Sequence, residues 1–176
     1  MPRLEGNGVL LREYRSEDFP AIASWVNDPE VTRYLSSRYW LPQTETDTRE
    51  YLSARMASSH SAYYFVIASP EDNRYLGQID LYMVDWRLRC ATLGMVVLPR
   101  GKGVGTAALR ALSRFAFDTL GLERLEAEAC AENAAALRCY EKAGFSREGV
   151  KRHGYYYGGA FRDVVMMSLL REDAPQ

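Results

Sequence analysis

The sequence predicts an α/β domain in the broad sense, an α+β mixed sheet with helices on its faces. Three observations carry this. Strand formers dominate residues 62–98. Apolar residues recur at helical spacing before that stretch. After it, helical and strand periods alternate. The predicted order is β-α-α-β-β-β-α-β-α-β-β. At 176 residues the chain has the length of one domain. The turn-rich run Ser69-Pro70-Glu71-Asp72-Asn73-Arg74 is short enough for a hairpin loop. A single domain over residues 1–176 is therefore expected.

In order, Val9 to Tyr14 reads as the first strand. Ser16 caps a helix, with Glu17 and Asp18 in the first turn where the helix dipole favours them. Ala21, Ile22, Trp25 and Val26 give it an apolar face, and Asn27-Asp28-Pro29 stops it. A second helix runs near Thr46 to Met56. Ala62 to Ala68, Tyr75 to Val84 and Thr92 to Leu98 read as an antiparallel meander of three strands. Thr106 to Leu120 is helical, with Leu109, Leu112, Ala116 and Leu120 on one face. Leu122 to Ala131 is a strand with Leu125, Ala127 and Ala129 on one side and Glu126 and Glu128 on the other. Asn133 caps a short helix ending at Gly144, which suits the left-handed position after a helix. Tyr155 to Leu170 forms a hairpin turning at Gly158-Gly159.

Composition excludes several classes. Net charge is −1, from 22 Lys+Arg against 23 Asp+Glu, so no nucleic-acid partner is expected. No apolar run approaches a membrane span, and the first residues lack the apolar stretch of a signal peptide, so a cytoplasmic protein is expected. Cys90, Cys130 and Cys139 are odd in number and unpatterned, which argues against a disulfide framework. His60 and His153 have no Cys or His at ligand spacing, so no metal is expected.

The most informative stretch is Met95 to Thr106, in which a strand enters a glycine-rich turn and then a helix. Backbone N–H groups at a helix start lack partners within the helix and carry partial positive charge. Gly101, Gly103 and Gly105 let a phosphate approach the backbone, and Arg100 and Lys102 add cationic charge. A P-loop is excluded, because Gly101-Lys102 is followed by Gly103 and position 96 is Val. A dinucleotide fingerprint competes: Gly103-Val104-Gly105-Thr106-Ala107-Ala108 fits it, with Glu126 or Glu128 about 20 residues on. Against it, too few βα units follow.

Arg100-x-x-Gly103-x-Gly105 resembles the acetyl-CoA pyrophosphate motif of the GNAT N-acetyltransferases. The run from Asn133 through Ala136, Tyr140, Lys142 and Gly144-Phe145 resembles a second segment of that family. Leu11-Arg12, Trp25-x-Asn27-Asp28-Pro29-Glu30-Val31 and the stretch Gly159 to Asp163 are similar to the branch of ribosomal-protein N-terminal and spermidine acetyltransferases. The resemblance implies a GNAT-like fold and acetyl-CoA as co-substrate, without a metal. It implies that Val96 and Val97 offer backbone hydrogen bonds to the pantetheine arm. Arg100, Gly101, Lys102, Gly103, Val104, Gly105 and Thr106 would hold the pyrophosphate, Asn133 would reach the cofactor, and Tyr140 would sit at the thioester sulfur. Two departures stand out: Thr92 occupies a position where the branch often has Glu, and the link to Arg100 is about two residues short.

The implied reaction is direct acyl transfer to a primary amine of a protein N-terminus, a polyamine or an amino sugar. The amine must lose a proton first, and Asp80 is the candidate base, against the competing reading of a solvated or salt-bridged strand carboxylate. Glu126 and Glu128 rank behind it as a charged sheet face, and Cys139 is disfavoured as an acyl carrier because it neighbours Tyr140 on a helix. Tyr155, Tyr156, Tyr157 and Trp40 are candidate pocket aromatics or packing residues. The C-terminal hairpin offers an edge for a homodimer. A non-catalytic acyl-CoA sensor and a dinucleotide-binding protein are the competing functions.

Overall fold

The computed structural model describes residues 3–57, 59–98 and 101–174. Its strands are β1 (Leu4–Gly6), β2 (Val9–Arg12), β3 (Tyr63–Ala68), β4 (Tyr75–Asp85), β5 (Cys90–Val97), β6 (Arg124–Cys130), β7 (Ser146–Tyr157) and β8 (Ala160–Leu170). They form one sheet in the order β1-β2-β3-β4-β5-β6-β8-β7. Only β5 and β6 run parallel; the other neighbours are antiparallel. A dinucleotide domain needs several parallel βα units, so that reading is overturned. The helices are α1 (Phe19–Ala23), α2 (Pro29–Thr32), α3 (Glu45–Met56), α4 (Val104–Arg114) and α5 (Ala134–Ala143).

Strand alternation divides the core between two faces. Phe65, Ile67, Ile79, Leu81 and Leu93 pack with Leu109 and Leu112 of α4 and Leu137 of α5. Val66, Ala68 and Val96 point the other way, onto Ile22, Trp25, Tyr51 and Leu52. The sheet is thus sandwiched, with α1 to α3 on one side and α4 and α5 on the other. β7 forms an outer edge and is mostly exposed.

The N-terminal region departs from expectation. A short β1 precedes the first predicted strand and pairs with it through Leu4 and Leu11. Ser16 does not cap a helix, because Ser16–Asp18 is a 3₁₀ turn. Asp18 is drawn inward instead. Its carboxylate accepts from Arg12 at 2.7 and 2.9 Å and from the Arg15 amide at 2.9 Å. Asp28 both ends one helical segment and begins another, accepting from the Glu30 amide at 2.9 Å. α3 starts at a capping box in which Thr44 and Asp47 satisfy each other's backbone amides.

Candidate active site

A cleft opens where β5 and β6 part. They pair only over Cys90–Thr92 and Arg124–Glu126. Beyond that, β5 stays paired with β4 and β6 with β8, so the facing edges diverge. The cleft has a volume of about 810 Å³ and takes in Leu93 to Val97, the α4 start and one face of α5. Val96 and Val97 both line it.

The turn into α4 has the geometry of an anion cradle. Gly101 and Gly103 have φ of 78° and 76°, in the left-handed region. No atom lies within 4 Å of where a Cβ would stand on either. Gly103 is the N-cap and no side chain caps the helix, so the first amides keep their donors. Gly101 and Val104 to Thr106 line the cleft with Gly103; the Lys102 side chain does not. Arg100 lies outside the described residues. Gly105 serves helix packing: a Cβ there would stand 2.9 Å from Cys139 Sγ on α5.

α5 forms the other wall. Asn133 caps it, its Oδ1 accepting from the Ala136 amide at 3.2 Å, and its side chain also lines the cleft. Tyr140, two turns on, lines the same cleft although only 5 % exposed. Its ring packs on Phe145 at a centroid distance of 5.6 Å. Burial, and then Cys139 and Tyr82, hold its phenol pKa well above the usual value.

The sequence profile of the acetyltransferase (GNAT) domain matches residues 9–146. The chain belongs to the GNAT acetyltransferase family. It is 32 % identical over 117 residues to the probable N-acetyltransferase YjcK of Bacillus subtilis, an alignment spanning 65 % of each chain. It is 26 % identical over 167 residues to the spermidine N(1)-acetyltransferase of Escherichia coli K12, covering 94 % of this chain and 87 % of that one. In fold it is similar to Mycobacterium smegmatis RimJ, solved in complex with CoA-disulfide, with TM-score 0.83 and 24 % identity, the match covering 99 % of this chain and 88 % of that one.

Asp80 stands apart from the cleft of this acetyltransferase. Strand alternation turns it towards α3, where it is 7 % exposed and lies 3.5 Å from Arg55 Nη2. Burial raises its carboxyl pKa to about 7 against the opposing pull of Arg55. The expected base is therefore a buried ion-pair member that does not line the cleft. Glu128 does line it, with Lys151 paired to its Oε1. Glu126 is held by Arg124 at 2.8 Å and is not a cleft residue. Tyr82 is a cleft residue that sequence reasoning missed. Burial, then Glu128 and Asp80, raise its phenol pKa.

Cys139 lines the cleft 3.5 Å from Thr106 Oγ1, and burial pushes its thiol pKa up. A raised thiol pKa leaves little nucleophilic thiolate. Glu30, Val31, Arg33, Tyr34, Leu35, Ser36 and Glu132 also wall the cleft. Tyr155 and Trp40 are not part of the wall itself. Tyr155 supports it from behind: its hydroxyl lies 2.9 and 2.7 Å from the carbonyl oxygens of Arg33 and Leu35 and donates to them. Tyr157 packs beside Tyr34 at 6.5 Å. Among the described residues no group of His, Cys, Asp and Glu is arranged to hold a metal ion, and no helix is long and apolar enough to cross a membrane.

Proposed function

We propose that this acetyltransferase moves the acetyl group of acetyl-CoA directly to a primary amine, and that the amine is a polypeptide N-terminus. The family match supports the reaction. The acceptor class rests on one observation, that the cleft carboxylates are already neutralised. Glu128 is paired with Lys151, Glu132 with Arg162, and Glu30 with Arg33 at 3.4 Å. A polyamine carries several cations and is best met by carboxylates without such partners. An α-amine, with a reference pKa near 7.7 to 8.0 against roughly 10.4 for an alkyl amine, also needs less help to lose its proton.

Acetyl-CoA brings the activated acetyl group as a thioester. The amides at the start of α4, opened by Gly101 and Gly103, hold its pyrophosphate, and Asn133 adds a side-chain contact. The unpaired edge of β5 around Val96 and Val97 offers backbone partners to the pantetheine amides. The α-amine enters in its neutral form, which a reference pKa near 7.7 to 8.0 leaves populated at about neutral pH. The amine nitrogen then bonds to the acetyl carbon and the carbon–sulfur bond breaks; Tyr140 gives its phenolic proton to the sulfur, and the surplus proton of the nitrogen passes to the phenolate, leaving amide, free thiol and neutral Tyr140.

The test combines binding and turnover. Acetyl-CoA should raise the melting temperature, because a ligand of the folded state stabilises it. Gly103→Val should abolish that shift, since its φ of 76° suits glycine and the side chain would fill the cradle. Thiol release should be faster with a panel of short peptides bearing free N-termini than with spermidine or an aminoglycoside. A melting shift with NADH and none with acetyl-CoA sinks the reaction. Faster turnover of spermidine than of every peptide sinks the acceptor class.

A further inference from the structure

We infer that the Tyr82 ring, laid across Gly94, closes the cleft where β5 and β6 rejoin and limits the transferred acyl group to acetyl, excluding butyryl and longer chains. This rests on the acetyl-CoA reading above. It assigns a residue to a property which that reading leaves open, the length of the acyl chain.

The direction of the cofactor follows from the fold. α4 begins shortly after the C-terminal end of β5. A pyrophosphate held at the α4 start therefore sends the thioester down the β5 edge, towards the first half of that strand. From Val97 to Gly94 the edge covers roughly 10 Å. The cleft stops where strand pairing resumes, at Thr92 and Glu126. Leu93 and Gly94 are the first β5 residues beyond that pair, and both line the cleft. A chain extending past the sulfur thus meets paired backbone in the plane of the sheet. The way left for it is over the face that Gly94 leaves bare.

Tyr82 fills that face. It stands opposite Thr92 in the β4–β5 ladder. Its ring leans two residues along β5, a diagonal that an aromatic side chain can span. A Cβ on Gly94 would lie 3.2 Å from Tyr82 Cε1, 3.8 Å from its hydroxyl oxygen and 4.0 Å from Cζ. The outer half of the ring therefore occupies the place of the missing side chain. β4 loses its regular register directly after Tyr82, and Met83, at φ 52°, is turned out to solvent. An irregularity of this kind re-aims the side chain beside it. Tyr140 reaches the cleft from α5, on the opposite face of the sheet. Burial and Cys139, and then Tyr82, raise the Tyr140 phenol pKa, so the two phenols lie near one another across the opening.

The chemistry of a saturated chain makes this an exclusion by shape. Each added methylene gains only where apolar space receives it. Here it meets a ring that must be displaced, and inserting extra carbons into filled space is unfavourable. A pocket distinguishes a single methylene by about 10-fold or more. The hydroxyl has no part in the exclusion, so Phe should replace Tyr82 and a small residue should not.

The experiment measures thiol release from acetyl-, propionyl-, butyryl- and hexanoyl-CoA with one peptide acceptor. The proteins are the wild type, Tyr82→Phe, Tyr82→Ala and Tyr82→Val, the last keeping a residue suited to a strand. Wild-type kcat/KM should fall at least about 10-fold from acetyl- to butyryl-CoA. Tyr82→Phe should keep that ratio. Tyr82→Ala and Tyr82→Val should bring butyryl-CoA within about threefold of acetyl-CoA, with CoA affinity by calorimetry within about twofold of wild type. A wild type that uses butyryl-CoA as well as acetyl-CoA would overturn the inference. So would small variants that keep the wild-type ratio while the KM for the peptide rises, which would assign Tyr82 to the amine. If the wild type neither binds CoA nor releases thiol from acetyl-CoA, the acetyl-CoA reading itself falls, a result distinct from an unchanged acyl ratio.

Discussion

Tyr140→Phe separates chemistry from packing more cleanly here than at most buried tyrosines. The substitution removes one oxygen and keeps the ring. The ring is what packs, against Phe145 at 5.6 Å and within the core. Among the described residues the Tyr140 hydroxyl makes no hydrogen bond, so its removal strands no buried partner. A stranded partner would cost about 1 to 3 kcal/mol; without one, unfolding free energy should change by no more than about 0.5 kcal/mol. Acetyl-CoA affinity should hold for the same reason. The rate should respond differently. Proton donation in the transition state is worth roughly 10² to 10⁴, and loss of at least about tenfold in kcat is expected. Burial holds the phenol protonated well above its usual pKa, so the deficit should be constant through neutral and mildly alkaline pH. The assay is acetyl transfer to a peptide, with single-turnover measurements to isolate chemistry, beside urea unfolding and CoA titration. Unchanged kcat when chemistry limits the rate would leave Tyr140 as a packing residue. A large loss of stability would show that the hydroxyl has a partner and refute the reasoning from geometry.

Two further outcomes concern stability. Asp18→Asn should cost about 3 to 5 kcal/mol in urea unfolding, because it leaves Arg12, itself 3 % exposed, without its 2.7 Å counter-ion. Loss below about 1 kcal/mol would mean that Asn73, which accepts from Arg12 Nε at 2.8 Å, suffices alone. Asp80 has a folded pKa raised to about 7, above an unfolded value near 3.9. Its protonated form is thus favoured by folding, and the stability it contributes is complete below about pH 4 and lost as pH rises through about 7. Asp80→Asn should flatten this slope in a pH series of melting curves, and an unaltered slope would assign it to another group.

The parts legible in the sequence were those whose signal is local. Three glycines at alternate positions announce the turn before α4. Asn133 and Gly144 bracket α5 because a cap and a left-handed terminus depend on one residue each. Asp80, Glu128 and Asp18 were not legible, and for a shared reason. A carboxylate on an alternating strand can face either side, and which side holds the cleft is decided by where β5 and β6 separate. That point depends on pairing between segments far apart in sequence. Asp18 had the look of a first-turn helix residue, yet a buried arginine across the loop outbid the helix dipole, whose attraction is worth only about 0.3 to 1 kcal/mol at a surface.

The arrangement of Tyr82 and Gly94 shows how the sheet itself shapes the reacting end of the cleft. β4 carries an irregularity between Tyr82 and Asp85, with Met83 at φ 52°. A non-glycine residue in that region costs of order 1 to 3 kcal/mol, retained only when surrounding structure enforces it. Tyr82 stands at its near side, and its ring crosses to the neighbouring strand. A Cβ on Gly94 would stand 3.2 Å from Tyr82 Cε1 and 3.8 Å from its hydroxyl. The absent side chain therefore makes room for the phenol at the cleft, directly where β5 loses its pairing with β6. Both strands tolerate the separation because each keeps a ladder on its other side, β5 with β4 and β6 with β8. The exposed edge of β5 still has backbone groups to satisfy, and in an open sheet such an edge invites another strand. Here the divergence of β6 leaves that edge facing the cleft. The bulge, the glycine and the parting of the sheet thus act on one spot, in the wall of the cleft that Tyr140 of α5 and Glu128 of β6 also line.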